Sequence, residues 1–183
     1  MVRASYFSIT EWLLIIVMAL FGALLNVYLP IKAMTKALGI PGPCAGMALL
    51  GGFIFVLWVH LSLLLTGKRW SGLATAILIA CICLFFQPWY GITSPSWFSV
   101  YALISLSALG ISVELLRKGK ILGGGVGNLL CLIINWLAIG FHAHTWAEAK
   151  FVPLLLAASF ISGILGSLIA RGVAKFLGRG GEE

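Results

Sequence analysis

Asn128, Asn135 and His142 stand seven residues apart in an otherwise apolar run. On a helix this spacing puts them on one stripe, with Cys131 between the first two, and the stripe is about 21 Å long. Polar groups in hydrocarbon cost free energy unless they face protein or a water-filled cavity, so the stripe is expected to face inward. For Asn135 and His142 two readings stand side by side. One is the polar wall of a small-molecule pocket; the other is hydrogen bonding between helices, worth on average about 0.6 kcal/mol in membranes. Asn128 reads as an interhelical hydrogen-bonding residue, and His60 as a hydrogen-bonded core residue. Asn26 and Gln87 lie near helix ends, where satisfying the helix end competes with binding a ligand.

Other chemistries lack their residues. His142 and His144 point to different helix faces with no third ligand at a suitable spacing, so no metal site is expected. Cys44, Cys81, Cys83 and Cys131 all lie in apolar stretches and read as small buried hydrophobes. Every acid is a glutamate (Glu11, Glu114, Glu148, Glu182, Glu183), so a Ser/His/Asp triad has no aspartate. Glu114 precedes Arg117 and Lys118 by three and four residues, the spacing of a local ion pair, and Glu148 has Lys150 beside it. There is no G-x-x-x-x-G-K-[ST] phosphate loop, and Gly123-Gly-Gly-Val-Gly127 follows a basic loop rather than a strand. No catalytic residue and no cofactor is expected, and the chain does not read as an enzyme.

The elements that must position these residues are membrane spans. The 183 residues are 61% hydrophobic and 9% charged, with mean hydropathy +1.10, whereas a soluble domain is about 25% charged. A span needs about 20 mainly apolar residues. The sequence divides into six such stretches, over 9–29, 43–66, 70–86, 96–116, 121–145 and 151–176, in a single transmembrane domain. Ser8-Ile-Thr-Glu11 is a capping box for the first helix, residues 30–42 read as a loop, and a proline opens the second. With the N-terminus inside, nine of the twelve basic residues fall in cytoplasmic positions and only Lys32, Lys36 and Lys150 outside. That bias predicts both termini in the cytoplasm, and it explains the +7 charge as topology rather than nucleic-acid binding. Trp89, Tyr90, Trp97 and Trp146 fall on the outer side, as an interfacial belt does.

Small residues recur four apart, as Ala19-x-x-x-Ala23 in the first span and Ser159-x-x-x-Gly163-x-x-x-Ser167 and Ser162-x-x-x-Gly166-x-x-x-Ala170 in the last. Such stripes let helices approach closely in lipid, within one chain or against a partner.

Six short spans, the Ala19/Ala23 pair, an outer loop with Leu29-Pro30 and Ile40-Pro-Gly-Pro43, and the last-helix pattern Ser162-Gly163-Ile-Leu-Gly166-Ser-Leu-Ile-Ala170-Arg171 resemble one family. It is the substrate-binding S component of energy-coupling factor (ECF) vitamin transporters. The resemblance covers nearly the whole chain. It implies an all-α bundle in a prokaryotic plasma membrane that captures a micronutrient outside and docks on a membrane coupling subunit served by two cytoplasmic ATPases. The Pro-Gly-Pro-x-Ala-Gly entry to the second span is similar to members assigned to thiamine precursors. Carried over, the family ligand site maps onto Tyr28, Lys32, Trp97, Tyr101, Asn135, His142 and Trp146, with Trp97 and Tyr101 sharing a face that can stack a flat ring. The docking face maps onto Ala19, Ala23, Gly163 and Ser167, although Val27 stands where a third small residue belongs. The alternative is an integral-membrane structural or assembly protein whose polar stripe only packs helices.

Overall fold

A computed structural model describes residues 6–37, 39, 44–86, 88–89, 92–93, 95–117 and 121–178. The expected Ile40–Pro43 loop motif, Gln87, Tyr90, Lys118 and the side chains of Lys32 and Trp89 lie outside the described residues. Helix α1 covers Ile9–Tyr28 and opens with the capping box: Glu11 N–H donates to Ser8 Oγ at 3.3 Å and Ser8 N–H to Glu11 Oε2 at 2.7 Å. Both orphan donors are served locally, so the helix starts where the Ser-x-x-Glu pattern says. A short helix α2 follows over Ile31–Ala37, where a loop was expected. Its Ile31 side chain is buried against Gly46 while Ala33 and Met34 face out, so one apolar anchor fixes a segment too short to register as a periodic pattern.

The second span is one continuous rod of three parts: α3 (Ala45–Gly51), a π-helical turn (Gly52–Val56) and α4 (Leu57–Thr66). It is the centre of the bundle: 72% of its apolar window is buried, against 28% for α1. Around it come α5 (Ser71–Phe86), α6 (Phe98–Leu115), α7 (Leu122–Ala143) and α8 (Val152–Phe176). Consecutive helices pack side by side from α5 to α8, α1 lies against α4 and α5, and α8 returns onto α3, the π turn and α4. A two-residue ladder joins β1 (Pro88–Trp89) to β2 (Ile92–Thr93) between α5 and α6.

Five of these helical rods are long and apolar enough to cross a membrane; α5, with 16 residues, is short, about 24 Å. Apart from the two-residue ladder the described residues are helical or in turns and loops, and five such rods are compatible with a membrane bundle. Their outward rows, such as Leu13, Val17, Leu20 and Leu24 of α1 and Ile161, Leu165, Leu168 and Ile169 of α8, are apolar and exposed, as lipid contact requires.

The two ends of the bundle differ. One gathers Lys68, Arg69 and Glu114, and is tied by a Lys68–Glu11 ion pair at 2.8 Å and by Lys68 Nζ donating to Tyr6 O at 2.7 Å. The other gathers Trp97, Tyr101, His142 and Trp146. Glu114 has a role beyond the expected local ion pair, whose Lys118 partner lies outside the described residues. It is buried, and its Oε1 accepts the N–H of Gly72 at 2.9 Å, so it serves the positive N-terminus of α5. The free N–H groups at the start of the neighbouring helix attract a carboxylate that comes within reach.

Candidate small-molecule site

The end of α7 and the start of α6 bring three of the predicted residues together. Trp97 is the residue before α6, Tyr101 sits one turn into it, and His142 is in the last turn of α7, which stops at His144 in the left-handed conformation (φ 51°). The Trp97 and His142 rings stack at 4.4 Å with planes 16° apart. Tyr101 stands edge-on to both, 6.2 Å from Trp97 at 80° and 5.4 Å from His142 at 67°. Its hydroxyl is 2.9 Å from His142 Nε2, and the tautomer of the imidazole decides which group donates. Trp97 and Tyr101 share a face as the spacing predicts, but they are perpendicular, and one face of the Trp97 ring is occupied by His142. A flat ligand here would stack on the outer side of the cluster or replace one of these rings, and Tyr101–His142 offers it one donor and one acceptor.

Trp146 lies at the same end. It folds back over α7, its ring resting where a side chain at Gly140 would stand, and meets Phe141 edge-on at 5.8 Å. Tyr28, at the end of α1, is 73% exposed and makes no ring contact with the cluster. The backbone of Lys32 is on α2.

Asn135 sits deeper than expected. It is 1% exposed, and its Nδ2 donates to Cys131 O at 2.7 Å while facing Met47 Sδ at 3.5 Å and Cys131 Sγ at 3.8 Å. It is therefore part of the core beneath the aromatic cluster, not an open pocket wall. Asn128 behaves as expected: its Nδ2 donates to Ser159 O (2.8 Å) and Ser159 Oγ (3.0 Å), tying α7 to α8. Asn26 is buried and donates to Cys83 Sγ at 3.4 Å, so it too serves packing. His60 is buried, with Nδ1 lacking a hydrogen-bond partner. Lys150 and Glu148 pair at 2.8 Å on the surface.

The small residues expected to dock a partner are all enclosed by the chain itself. Ala19 and Ala23 are fully buried, and a Cβ on Gly163 would run into the carbonyl of Gly124. Ser167 is fully buried beside Gly124. None of the four presents a free face, and at Gly163 the backbone of the neighbouring helix leaves no room for a Cβ. Met47 was not read together with Asn135 from the sequence: it stands 88 residues away, and only the packing of α3 against α7 brings its sulfur to the amide.

No family model, no curated protein and no solved structure matches this chain.

Proposed function

We propose that the chain is a non-enzymatic, membrane-embedded substrate-binding subunit of the ECF S-component kind. It crosses a prokaryotic plasma membrane six times with both termini in the cytoplasm. It takes a small flat micronutrient, a vitamin or precursor such as a thiamine precursor, at the end carrying the aromatic cluster. A membrane coupling subunit and two cytoplasmic ATPases complete the importer. The observation that carries the reading is the Trp97–His142–Tyr101 cluster, two stacked rings and a hydroxyl–imidazole pair at the mouth of an otherwise apolar bundle. The basic residues collected at the opposite end support that end as cytoplasmic. Spanning by α5 requires local thinning of the bilayer or flanking polar residues that reach the interface. Docking on a coupling subunit falls to the exposed rows of α1 and α8, since the buried small residues are not free for it.

A second reading, a structural or assembly protein without a small ligand, is favoured by one fact: Asn26, Asn128 and Asn135 all spend hydrogen bonds inside the bundle. Native mass spectrometry of the protein purified from its own membranes separates the two. A co-purifying small aromatic compound that is lost on Trp97→Ala, with the thermal midpoint preserved, supports capture. Absence of any such compound, with Trp97→Ala lowering the midpoint alone, establishes the structural reading.

A further inference from the structure

The last turn of α7 is gripped from two opposite sides. Residues two apart on a helix point about 200° apart, so Gly140 and His142 face opposite ways. On one side the His142 imidazole stacks on Trp97 at 4.4 Å and meets the Tyr101 hydroxyl at 2.9 Å. On the other, the six-membered part of the Trp146 ring fills the space above Gly140, where a Cβ would overlap its Cζ2, Cζ3 and Cη2. Phe141, between the two faces, meets Trp146 edge-on at 5.8 Å. The seat shows in the burial pattern: Gly140 is buried, whereas Phe141, His142 and Ala143 beside it are exposed. His144, in the left-handed conformation (φ 51°), turns the chain back towards the helix. Thr145 Oγ1 then donates to Ala143 O at 3.0 Å, one of the carbonyls that a helix end leaves without an intrahelical partner.

A last turn with exposed side chains and unpartnered carbonyls frays unless something holds it. His142 is carried by that turn, and its stack on Trp97, with planes only 16° apart, is lost if the turn unwinds. The Trp97 contact holds one side only. The opposite side is held by the indole of Trp146, and the seat requires glycine at position 140 because a side chain there pushes the ring off.

We propose that Trp146, seated on Gly140, is the positioning residue of the Trp97–His142–Tyr101 cluster. It keeps the last turn of α7 wound and the imidazole in place, and does not itself line the site. Among the described residues its ring contact is with Phe141 rather than with a ring of the cluster. Its value to capture is preorganisation: an imidazole already fixed in direction costs a ligand less ordering than one on a frayed turn. In that respect the proposal rests on the capture reading, while the lock itself is a property of the ligand-free chain.

The test is made on the full chain in detergent, with no ligand present. Isotope-labelled histidine gives a carbon–proton signal for each imidazole, and His142→Gln identifies the one from position 142. A proton over the face of an indole is displaced upfield by the ring current, and Trp97→Leu measures that displacement. Trp146→Leu and Gly140→Leu, the second of which keeps every tryptophan, are both expected to lose most of it. Amide hydrogens of the last turn are expected to exchange faster in both. Trp12→Leu, which removes an exposed tryptophan at the opposite end of the bundle, is expected to leave the displacement unchanged. Full displacement in Trp146→Leu or in Gly140→Leu overturns the proposal even where the thermal midpoint falls, because the ring then only anchors the chain. So does the absence of any displacement in the unmodified chain. A chain that captures no small molecule leaves this result standing, and failure here leaves the capture experiment standing.

Discussion

Gly52 donates its backbone N–H to the side-chain oxygen of Ser162 at 3.0 Å, across 110 residues of sequence. The same hydroxyl donates to Leu49 O at 2.8 Å, so one serine joins α8 to both sides of the junction between α3 and the π turn. No side chain is tolerated at Gly52: a Cβ there would overlap the carbonyl of Ser162, and one at Gly166 would overlap the carbonyl of Gly52. The π turn closes with Leu57 N–H on Gly52 O, five residues back, so its wide turn begins at the residue that α8 holds. Ser162→Ala removes one acceptor of the Gly52 N–H, which also reaches Leu50 O, together with the donor to Leu49 O, and the expected loss of the two bonds is about 1–3 kcal/mol. Gly52→Ala is expected to be worse, because backbone atoms rather than flexible side-chain ends must move apart. Thermal unfolding in detergent checks both, and equal midpoints for Ser162→Ala and the unmodified chain would remove the serine from this role.

Gly172 makes the opposite prediction from the same helix. It lies in α8 with nothing within 4 Å of where a Cβ would stand. Its backbone is helical and the position faces outward, so alanine costs no contact and removes the flexibility of the unfolded chain. Gly172→Ala is expected to be neutral or to stabilise by about 0.5–1 kcal/mol. A drop of similar size would mean that this face of α8 is covered by something other than lipid.

Periodicity and composition made the rods legible, because a span announces itself by its length and the capping box is a local pattern. The first and last spans begin and end within a few residues of expectation. What was not legible is what one rod does to another. The π turn depends on a serine 110 residues away, and Gly51–Gly52 looks like any small pair in an apolar helix. Asn135 shares its stripe with His142, so the sequence gives them one role. In the fold the last turn of α7 clears the bundle and carries His142 to the surface, while Asn135, two turns deeper, meets Met47. The small stripes are visible as stripes, but which neighbour fills them is decided by the arrangement around the second span.

Glu114 is expected to matter through its oxygen more than its charge. It serves the N–H of Gly72 at the start of α5, and Gly72 itself is buried. Glu114→Gln keeps an acceptor in place and loses only the attraction of a negative charge to the helix end, about 0.3–1 kcal/mol. Glu114→Ala leaves the N–H unpartnered in a buried place and is expected to cost about 1–3 kcal/mol. Chemical unfolding of the two variants in the same detergent tests the order. If Gln is as damaging as Ala, the charge is the important part and a cation outside the described residues is its partner.

Asn135→Leu tests whether this asparagine belongs to a ligand wall or to the core. Its Nδ2 bonds back to Cys131 O, four residues earlier on its own helix, a carbonyl that the helix ladder also reaches. Its Oδ1 is buried with nothing to accept from. An orphan acceptor of this kind costs about 1–3 kcal/mol, and leucine has a similar volume and no polar atom. Replacing a half-satisfied polar group by an apolar one of the same shape is near neutral or favourable, so the variant is expected to unfold at the same temperature or higher. A small molecule held only by the Trp97–Tyr101–His142 cluster is then retained, because the substitution lies beneath those rings and not on them. A variant of undiminished stability that releases such a molecule would return Asn135 to the pocket wall. A variant that unfolds early would mean that the orphan oxygen has a partner, a water or an ion, that makes the polar group worth keeping.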